Sequence, residues 1–384
     1  MNSSLYLHIP FCEHKCIYCD FYSVAPNGDG SAEYRSLISR FLSALEKEIE
    51  LRGSDPQYQT AYETIFFGGG TPSLLEPANI ERILERLKDR FSIIDRAEIT
   101  LETNPGTVDR SKLEAFRNAG VNRLSVGIQS FHEDDLKFLT RIHSAGQAMD
   151  CVRNAYEAGF ENVSLDLIFA LPGQTMDRWR ANLDTAMTLR PTHISCYSLI
   201  VEENTPLYRM VASKQVTPLA AERDAELYEF TIGFLESHGY EQYEVSNFCK
   251  PGFRSKHNSR YWDHGNYLGF GPSAHSFWNG TRWWNSSNVT KYAESIEGGK
   301  IPVGGKETLT DDQQKEEEVF LGLRSSGIDL VKFKGRYGSD LERDYREIIN
   351  RLLESRLATS DGKTLRLTSR GYALCDEICT EFMK

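Results

Sequence analysis

Long apolar runs are missing from this chain of 384 residues. Stretches such as 162–171 are interrupted well before the roughly 20 residues that cross a bilayer, so we expect no membrane span. The opening residues, MNSSLYLHIPFC, have neither a basic start with a long apolar stretch nor an Arg-rich amphipathic leader. We therefore expect no removable targeting segment and a cytoplasmic location.

The chain also has no excess of basic residues, because it contains 55 Asp and Glu and only 44 Lys and Arg. The basic residues are scattered rather than gathered into a stripe, which argues against nucleic acid as a main partner. Eight cysteines are present, but disulfide scaffolds are usually short secreted chains, and no secretory signal is found. We expect a reducing compartment.

The chain is longer than one hydrophobic core usually grows, so we expect a large domain with a smaller one appended. Strand-like runs and amphipathic helices alternate through the first two hundred residues, which is typical of a parallel sheet covered by helices. The strand candidates are 5–9, 63–67, 98–102, 123–128, 163–169 and 193–199. The fold class predicted is α/β, a partial TIM-like (β/α) barrel of six strands.

The helices of this barrel follow from apolar periodicity and terminal signals. Ser31 can cap the first helix, and Gly120 and Gly159 can end two later ones. The other predicted helices are 77–91, 111–119, 145–158 and 176–189. We assign 1–240 to the barrel, 241–305 to a loop-rich segment, and 306–384 to a small, mostly helical, winged-helix-like domain with a hairpin at 357–367 and a closing helix at 369–383.

Three cysteines follow the first predicted strand within eight residues, in the pattern CxxxCxxC: Cys12, Cys16 and Cys19. A cubane iron–sulfur cluster normally takes four thiolates, and three leave one iron open for a small ligand. The alternatives are a zinc site or three buried cysteines. The spacing is not the paired CxxC of zinc sites and no fourth ligand stands nearby, so it favours a 4Fe-4S cluster. The other five cysteines have no comparable grouping and are predicted to be core residues.

The cysteine motif and several others resemble the radical S-adenosylmethionine (SAM) superfamily, in the branch of oxygen-independent coproporphyrinogen III oxidase. The resemblance runs nearly end to end. It is carried by YLHIPFC (6–12), GGGTP (68–72), ETNP (102–105), GIQSF (127–131), RIH (141–143) and DLI (166–168). It implies a 4Fe-4S cluster, bound SAM, and an electron donor if SAM is cleaved. Whether SAM is cleaved stays open.

The resemblance also implies which residues contact SAM. The charged and amide side chains are Glu102, Gln129, Arg141 and Asp166, and the other matched positions are Tyr6, Gly69, Gly70, Thr71 and the adenine-packing position Ile200. Glycines after a strand let the backbone approach a ligand. Most of these residues stand at or just past predicted strand ends, where barrels of this kind gather their ligands. We expect a single mouth to hold them all.

A further motif, HNxxYW at 257–262, lies in the segment predicted to be loop-rich. It resembles the heme-chaperone branch of the family, in which the motif is associated with heme binding. The resemblance implies that His257 ligates heme iron, as neutral imidazole commonly does, while Tyr261 and Trp262 pack on the porphyrin. His275 is a second candidate. The alternative is that these side chains satisfy one another within the fold.

The leading functional hypothesis is therefore a protein that binds heme and delivers it to hemoproteins such as respiratory enzymes. Two enzymatic alternatives stay open: oxidative decarboxylation of coproporphyrinogen III, and radical methyl transfer or ring opening of a tetrapyrrole. The oxidases carry a further cysteine shortly after the triad and an N-terminal arm. Here Asp20 and Phe21 follow Cys19, and only eleven residues precede Cys12, which favours the heme chaperone over the oxidase.

Overall fold

Six parallel strands run in chain order through the first two hundred residues of the computed structural model, which describes residues 3–26 and 32–383. Each overlaps a segment in which the sequence predicts a strand. They are β1 (Ser3–Ile9), β2 (Ala61–Gly69), β3 (Ser92–Thr103), β4 (Arg123–Gln129), β5 (Asn162–Phe169) and β6 (His193–Ser198). The predicted partial barrel is confirmed.

Helices connect these strands, and their ends follow the predicted signals. Gly120 and Gly159 adopt φ values of +111° and +86° directly after two of the helices, a conformation that glycine reaches at low cost. The predicted cap Ser31 lies outside the described residues. The helices are α1 (Ala32–Gly53), α2 (Pro77–Arg90), α3 (Arg110–Asn118), α4 (Glu133–Phe138), α5 (Ala145–Glu157) and α6 (Met176–Leu189), with 3₁₀ turns at Pro56–Tyr58, Pro72–Leu74 and Pro105–Thr107.

The chain after β6 widens the same sheet at both sides. Strand β8 pairs antiparallel with β6, and β9 pairs parallel with β1, which gives the order β12-β11-β10-β9-β1-β2-β3-β4-β5-β6-β8-β7. The new elements are α7 (Pro206–Ala212), α8 (Ala221–Ser237), β7 (Glu241–Glu244), β8 (Asn247–Cys249), α9 (Lys256–Trp262), β9 (Tyr267–Phe270), β10 (His275–Trp278), β11 (Thr281–Asn285), α10 (Val289–Glu297) and β12 (Val303–Thr308).

The segment 241–305, predicted to be loop-rich, is thus largely strand and helix. Its strands β7 to β11 are three to five residues long, too short for apolar alternation to reveal them. The HNxxYW motif also differs from its prediction, because it forms α9 rather than a polar loop.

Side chains of the barrel strands point alternately towards the surrounding helices and towards the barrel interior. On β1, Leu5, Leu7 and Ile9 join the hydrophobic core beneath the helices, while Tyr6 and His8 line an internal cavity. Successive strand side chains point to opposite faces, so the same rule leaves polar side chains of every barrel strand facing inward.

The C-terminal part is mostly helical, as predicted, and packs around its own apolar cluster. The predicted hairpin is present as β14 and β15, while the predicted closing helix is divided at Ala373 and Leu374. Its elements are α11 (Asp311–Leu323), β13 (Ile328–Asp329), α12 (Leu330–Tyr337), α13 (Leu341–Asp344), α14 (Arg346–Glu354), β14 (Ala358–Ser360), β15 (Thr364–Leu367), α15 (Ser369–Tyr372) and α16 (Cys375–Phe382). The domain boundaries at 240/241 and 305/306 stay predictions. Among the described residues, none of the helices could cross a membrane.

Candidate functional site: a polar cavity at the mouth of the barrel

The loop that carries Cys12, Cys16 and Cys19 is closed at its base and tied to the barrel rim. The Cys12 amide donates to the Val24 carbonyl (3.0 Å), and the Val24 amide donates to the Pro10 carbonyl (2.7 Å). Further along, the Ile17 amide donates to Thr140 Oγ1 at 3.2 Å. These bonds hold the three cysteines over the C-terminal end of β1.

Two side chains donate to the sulfur atoms of this loop. Thr71 Oγ1 lies 3.6 Å from Cys12 Sγ, and Arg141 Nη1 lies 3.6 Å from Cys16 Sγ. Burial raises the pKa of the Cys19 thiol to about 11 and also raises the pKa of Cys12, so metal binding at these two residues displaces protons. Among the described residues, no group of three His, Cys, Asp or Glu side chains surrounds a single metal position.

The glycine run 68–70 at the end of β2 is constrained by the protein's own packing. A Cβ on Gly69 would lie 2.5 Å from the His8 ring, and one on Gly70 would lie 2.6 Å from the Phe11 carbonyl oxygen. The turn also bonds to the cysteine loop, since the amides of Gly70 and Thr71 donate to the carbonyls of Ile9 (2.8 Å) and Phe11 (2.7 Å). The space freed at these two glycines is therefore filled by the β1 strand and the residues that follow it.

Two half-buried carboxyl groups, Glu102 and Asp166, line the same cavity. Glu102 Oε2 accepts from the Gly69 amide at 3.1 Å, and both oxygens of Asp166 accept from Ser125 Oγ at 3.1 Å. Burial, with the charge of Asp166 second, raises the pKa of Glu102 to about 8. Burial also raises the pKa of Asp166, against hydrogen bonds from three serine hydroxyls that lower it. A cation that enters this cavity would favour ionisation of both groups.

Gln129 and Arg141 form another part of the wall. Gln129 ends β4 with φ +67°, a left-handed conformation that side-chain-bearing residues rarely adopt. Arg141 Nη2 donates to the Gly127 carbonyl at 2.6 Å, while Nη1 reaches Cys16. The Arg141 guanidinium therefore joins the end of β4 to the cysteine loop.

These side chains surround a cavity of about 410 Å³ at the C-terminal mouth of the barrel. Its wall includes seven of the positions predicted to contact SAM: Gly69, Gly70, Thr71, Glu102, Gln129, Arg141 and Asp166. Cys19 and the exposed Ile200 line it as well. Tyr6 lies outside this cavity. The expectation of a single mouth is thus met for all of the predicted positions except Tyr6.

A second cavity, of about 510 Å³, adjoins the first and shares part of its wall, including Glu102, Asp166 and Tyr197. Its own lining is rich in rings. The rings are those of Tyr6, His8, Tyr22, Phe66, His257, Tyr261, Tyr267 and His275. Burial lowers the pKa of His8 to about 4 and the pKa of His257 to about 3, so both imidazoles are neutral at pH 7.

His257 differs from its prediction in one respect, because only 1% of its surface is exposed. Its Nδ1 lies 2.7 Å from Thr64 Oγ1, its Nε2 lies 2.9 Å from Tyr261 Oη, and its ring stacks on Phe66 at 4.8 Å. The start of α9 is held by Glu98, whose carboxylate accepts from the amides of residues 256 and 257 at 3.1 Å each. His275 lines the same cavity and is more exposed.

Comparison with protein families agrees with this geometry. Residues 6–186 match the radical SAM superfamily, and residues 309–374 match the HemN C-terminal domain. The chain is 37% identical over 382 residues to the heme chaperone HemW of Bacillus subtilis, covering 99% of both chains. It is 36% identical to HemW of Mycobacterium tuberculosis, covering 97% of this chain and 93% of that one. The chain belongs to the HemW family.

The HemW fold is shared with coproporphyrinogen III oxidase (HemN) from Escherichia coli. That structure covers 99% of this chain, and this chain covers 90% of it, with a TM-score of 0.83 at 24% sequence identity. At this level of identity the match shows the fold alone.

Membership of the radical SAM superfamily implies a 4Fe-4S cluster and SAM for this HemW chain. The residues present fit both groups. Three thiols stand on one loop with the donors Thr71 and Arg141 beside two of them. The carboxyl groups of Glu102 and Asp166 face the adjoining cavity, and these suit a cationic ligand with hydroxyl groups.

Several residues of this HemW site were missed by sequence reasoning. Tyr18, Ser125 and Tyr197 line the first cavity, and His8 lines the second. Ser125 and His8 stand on the inward-facing alternation of β4 and β1, which was the available signal. The buried His193 of β6 was missed too.

Proposed function

We propose that this chain is a heme chaperone. In this proposal it carries a 4Fe-4S cluster on Cys12, Cys16 and Cys19, binds SAM beside it, and binds heme and transfers it to hemoproteins such as respiratory enzymes. The observation that carries the proposal is similarity over 99% of the chain to a protein named heme chaperone. We assign the protein to the cytoplasm.

For SAM we propose the first cavity, with contacts from Glu102, Gln129, Arg141 and Asp166 and from the backbone of residues 69–71. The two carboxyl groups of the cavity support this, because a ligand with an ammonium and a sulfonium would favour their ionised forms and be attracted by them. A cluster held by these three thiolates would leave one iron for the amino and carboxylate groups of SAM. It would supply SAM with an electron. An electron donor is a further partner if SAM is cleaved.

Tyr6 and Ile200 have different roles in this proposal. Tyr6 Oη lies 3.1 Å from His8 Nδ1, and its ring lines the second cavity. In this proposal Tyr6 therefore stabilises the SAM site without contacting SAM. Ile200 is 64% exposed at the first cavity, where an adenine ring would cover it.

For heme we propose the second cavity, with His257 as the iron ligand. Support comes from the ring-lined wall and from a neutral imidazole, the form that binds iron. Both nitrogens of His257 already have hydroxyl partners, so ligation through Nε2 replaces the bond to Tyr261. His275 lines the same cavity and is the competing ligand.

The test of the heme proposal is a titration of heme into purified wild type, His257→Ala and His275→Ala. His238→Ala is the matched control, because His238 is exposed and lines neither cavity. We expect a saturable Soret shift that is weakened or altered in His257→Ala alone. An unchanged spectrum and affinity in His257→Ala, with loss in His275→Ala, would move the ligand to His275.

Delivery and catalysis are separated by two further assays. Heme-loaded protein should transfer heme to apomyoglobin, used as a generic acceptor, at a rate that rises with the apomyoglobin concentration, because transfer by spontaneous dissociation would not depend on that concentration. Reconstituted protein with reductant, SAM and coproporphyrinogen III should give no catalytic yield of protoporphyrinogen IX. Product at many turnovers per chain would replace the chaperone proposal by the oxidase.

A further inference from the structure

A buried imidazole lies deep in the barrel behind the first cavity. His193 begins β6, and no part of its surface is exposed. Its neighbours Ile194 and Cys196 belong to the hydrophobic core, so alternation along the strand turns His193 inward. Such a buried polar ring needs partners for both of its nitrogens.

Both partners are present and both are hydroxyl groups. His193 Nδ1 lies 2.7 Å from Ser164 Oγ on β5, and His193 Nε2 lies 2.7 Å from Tyr243 Oη on β7. Ser164 Oγ in turn lies 3.4 Å from Asp166 Oδ1. A hydrogen-bonded chain therefore runs from Tyr243 through His193 and Ser164 to a carboxyl group in the wall of the first cavity.

The carboxyl end of this hydrogen-bonded series sets its direction. An ionised Asp166 can only accept, so the Ser164 hydroxyl donates to Asp166. Ser164 then accepts from Nδ1–H of His193, which leaves Nε2 of His193 to accept from the Tyr243 hydroxyl.

The ionisation states of the two rings agree with this direction. Burial holds the pKa of His193 well below its ordinary value, and burial holds the pKa of Tyr243 well above its own. The imidazole is then neutral, with one donor and one acceptor, and the phenol keeps its proton. Each link consequently has one donor and one acceptor.

We propose that His193 is a positioning residue for the SAM site: held as the Nδ1–H tautomer by Tyr243, it orients Ser164 so that the Ser164 hydroxyl points at Asp166. The proposal rests on the proposed function of Asp166 as a SAM contact. His193 itself lies outside the lining of both cavities, so it touches neither SAM nor heme. Its effect on SAM passes through Ser164.

Loss of the hydrogen bonds that link Tyr243, His193, Ser164 and Asp166 should cause a specific defect. Without the Nδ1–H donor, Ser164 is free to turn its proton towards other acceptors, and Asp166 loses one of its oriented donors. The carboxylate then holds SAM less firmly, while the first cavity keeps its shape. An asparagine at position 193 places an amide N–H close to the position of Nδ1 and should restore the donor.

The experiment combines two measurements. Nitrogen-15 spectra of wild-type protein labelled at histidine report the tautomer of His193, assigned by its loss in His193→Asn. Calorimetry with the cluster-loaded protein then compares SAM binding in His193→Leu, His193→Asn and Asp166→Asn. Thr231→Val is the matched control, because it removes an equally buried hydrogen bond, from Trp179 Nε1 (2.7 Å), outside both cavities.

We expect the Nδ1–H tautomer in wild type, SAM binding weakened roughly fivefold in His193→Leu, and values within about twofold of wild type in His193→Asn and Thr231→Val. An Nε2–H tautomer overturns the proposal, and this result decides alone if His193→Leu does not fold. Equal weakening in His193→Leu and His193→Asn, or none in either, also overturns it. Unchanged binding in Asp166→Asn instead refutes the proposed SAM contact.

Discussion

Glu102→Gln should stabilise the fold while it weakens the binding of SAM. Glu102 is half-buried in the wall of both cavities, and its desolvation there, with the charge of Asp166 second, raises its pKa from 4.5 to about 8. Between those two pH values the folded chain keeps a proton that the unfolded chain has lost, so stability falls as pH rises through this window. Glutamine has the shape of the protonated acid and carries no such dependence.

The size of the effect follows from the same two pKa values. At pH 7 the folded chain keeps the Glu102 proton about 2.5 pH units above the ordinary pKa of 4.5. At 1.36 kcal/mol per unit, this lowers the free energy of unfolding by roughly 3 kcal/mol. We therefore expect Glu102→Gln to raise the free energy of unfolding at pH 7 by roughly 2–3 kcal/mol and to change it little near pH 4.5. The gain should level off above pH 8.

Urea unfolding of wild type and Glu102→Gln without added SAM, at pH 4.5, 6, 7 and 8.5, measures this difference directly. Calorimetry on the same proteins should show weaker SAM binding in the variant at every pH. A stabilisation that is equal at all four pH values would show that it comes from packing rather than from the proton. Destabilisation at pH 7 would refute the reasoning.

Three further predictions concern the cysteine loop and the first cavity. Cys19→Ala should lose most of its iron after anaerobic reconstitution, as measured by iron content and visible absorption, while Cys151→Ala should keep it because Cys151 is buried in the core. Asp166→Ala should weaken SAM binding about tenfold or more in calorimetry, since it removes a charge-assisted contact of about 1.5–3 kcal/mol. Gly70→Ala should lower the free energy of unfolding by more than about 2 kcal/mol, because its Cβ would meet the Phe11 carbonyl oxygen at 2.6 Å; Gly233→Ala, with open space around it, should not.

The barrel was predictable from sequence because its strands and helices are long and regular. Five of its helices fall within a few residues of their predicted positions, and α6 matches at both ends. The grouping of ligand positions followed from the rule that parallel strands bring their C-terminal ends together. The five cysteines outside the triad are buried, as predicted.

The glycine run shows where local reasoning from sequence was insufficient. The pattern predicts close approach by a ligand, and both Gly69 and Gly70 line the first cavity, but the structure also places His8 and Phe11 where Cβ atoms on these glycines would stand. Such contacts join residues some sixty positions apart, and nothing in the local pattern distinguishes protein from ligand as the neighbour. A turn of the same composition would look identical in either case.

The motif at His257 was misjudged for a related reason. Gly, Asn and Ser around it suggested a loop, but Ser255 caps α9, and Glu98 on β3 accepts from its first amides. The helix is fixed by a carboxylate from a distant strand, which a window of local sequence does not contain. His193 was missed because one histidine in an apolar strand carries no motif.

The sheet order has a mechanical consequence for the entry of a flat ligand. In the part of the chain that the structure describes, no pairing joins β12 to β7, so the sheet is a curved ribbon with two free ends rather than a closed ring. A ribbon changes its radius by small twists shared among many strands, with every main-chain hydrogen bond kept. A closed barrel of fixed strand number and stagger cannot do this. If heme binds in the second cavity as proposed, its edge-on entry would require only a slight uncoiling of the ribbon and would break no strand pairing.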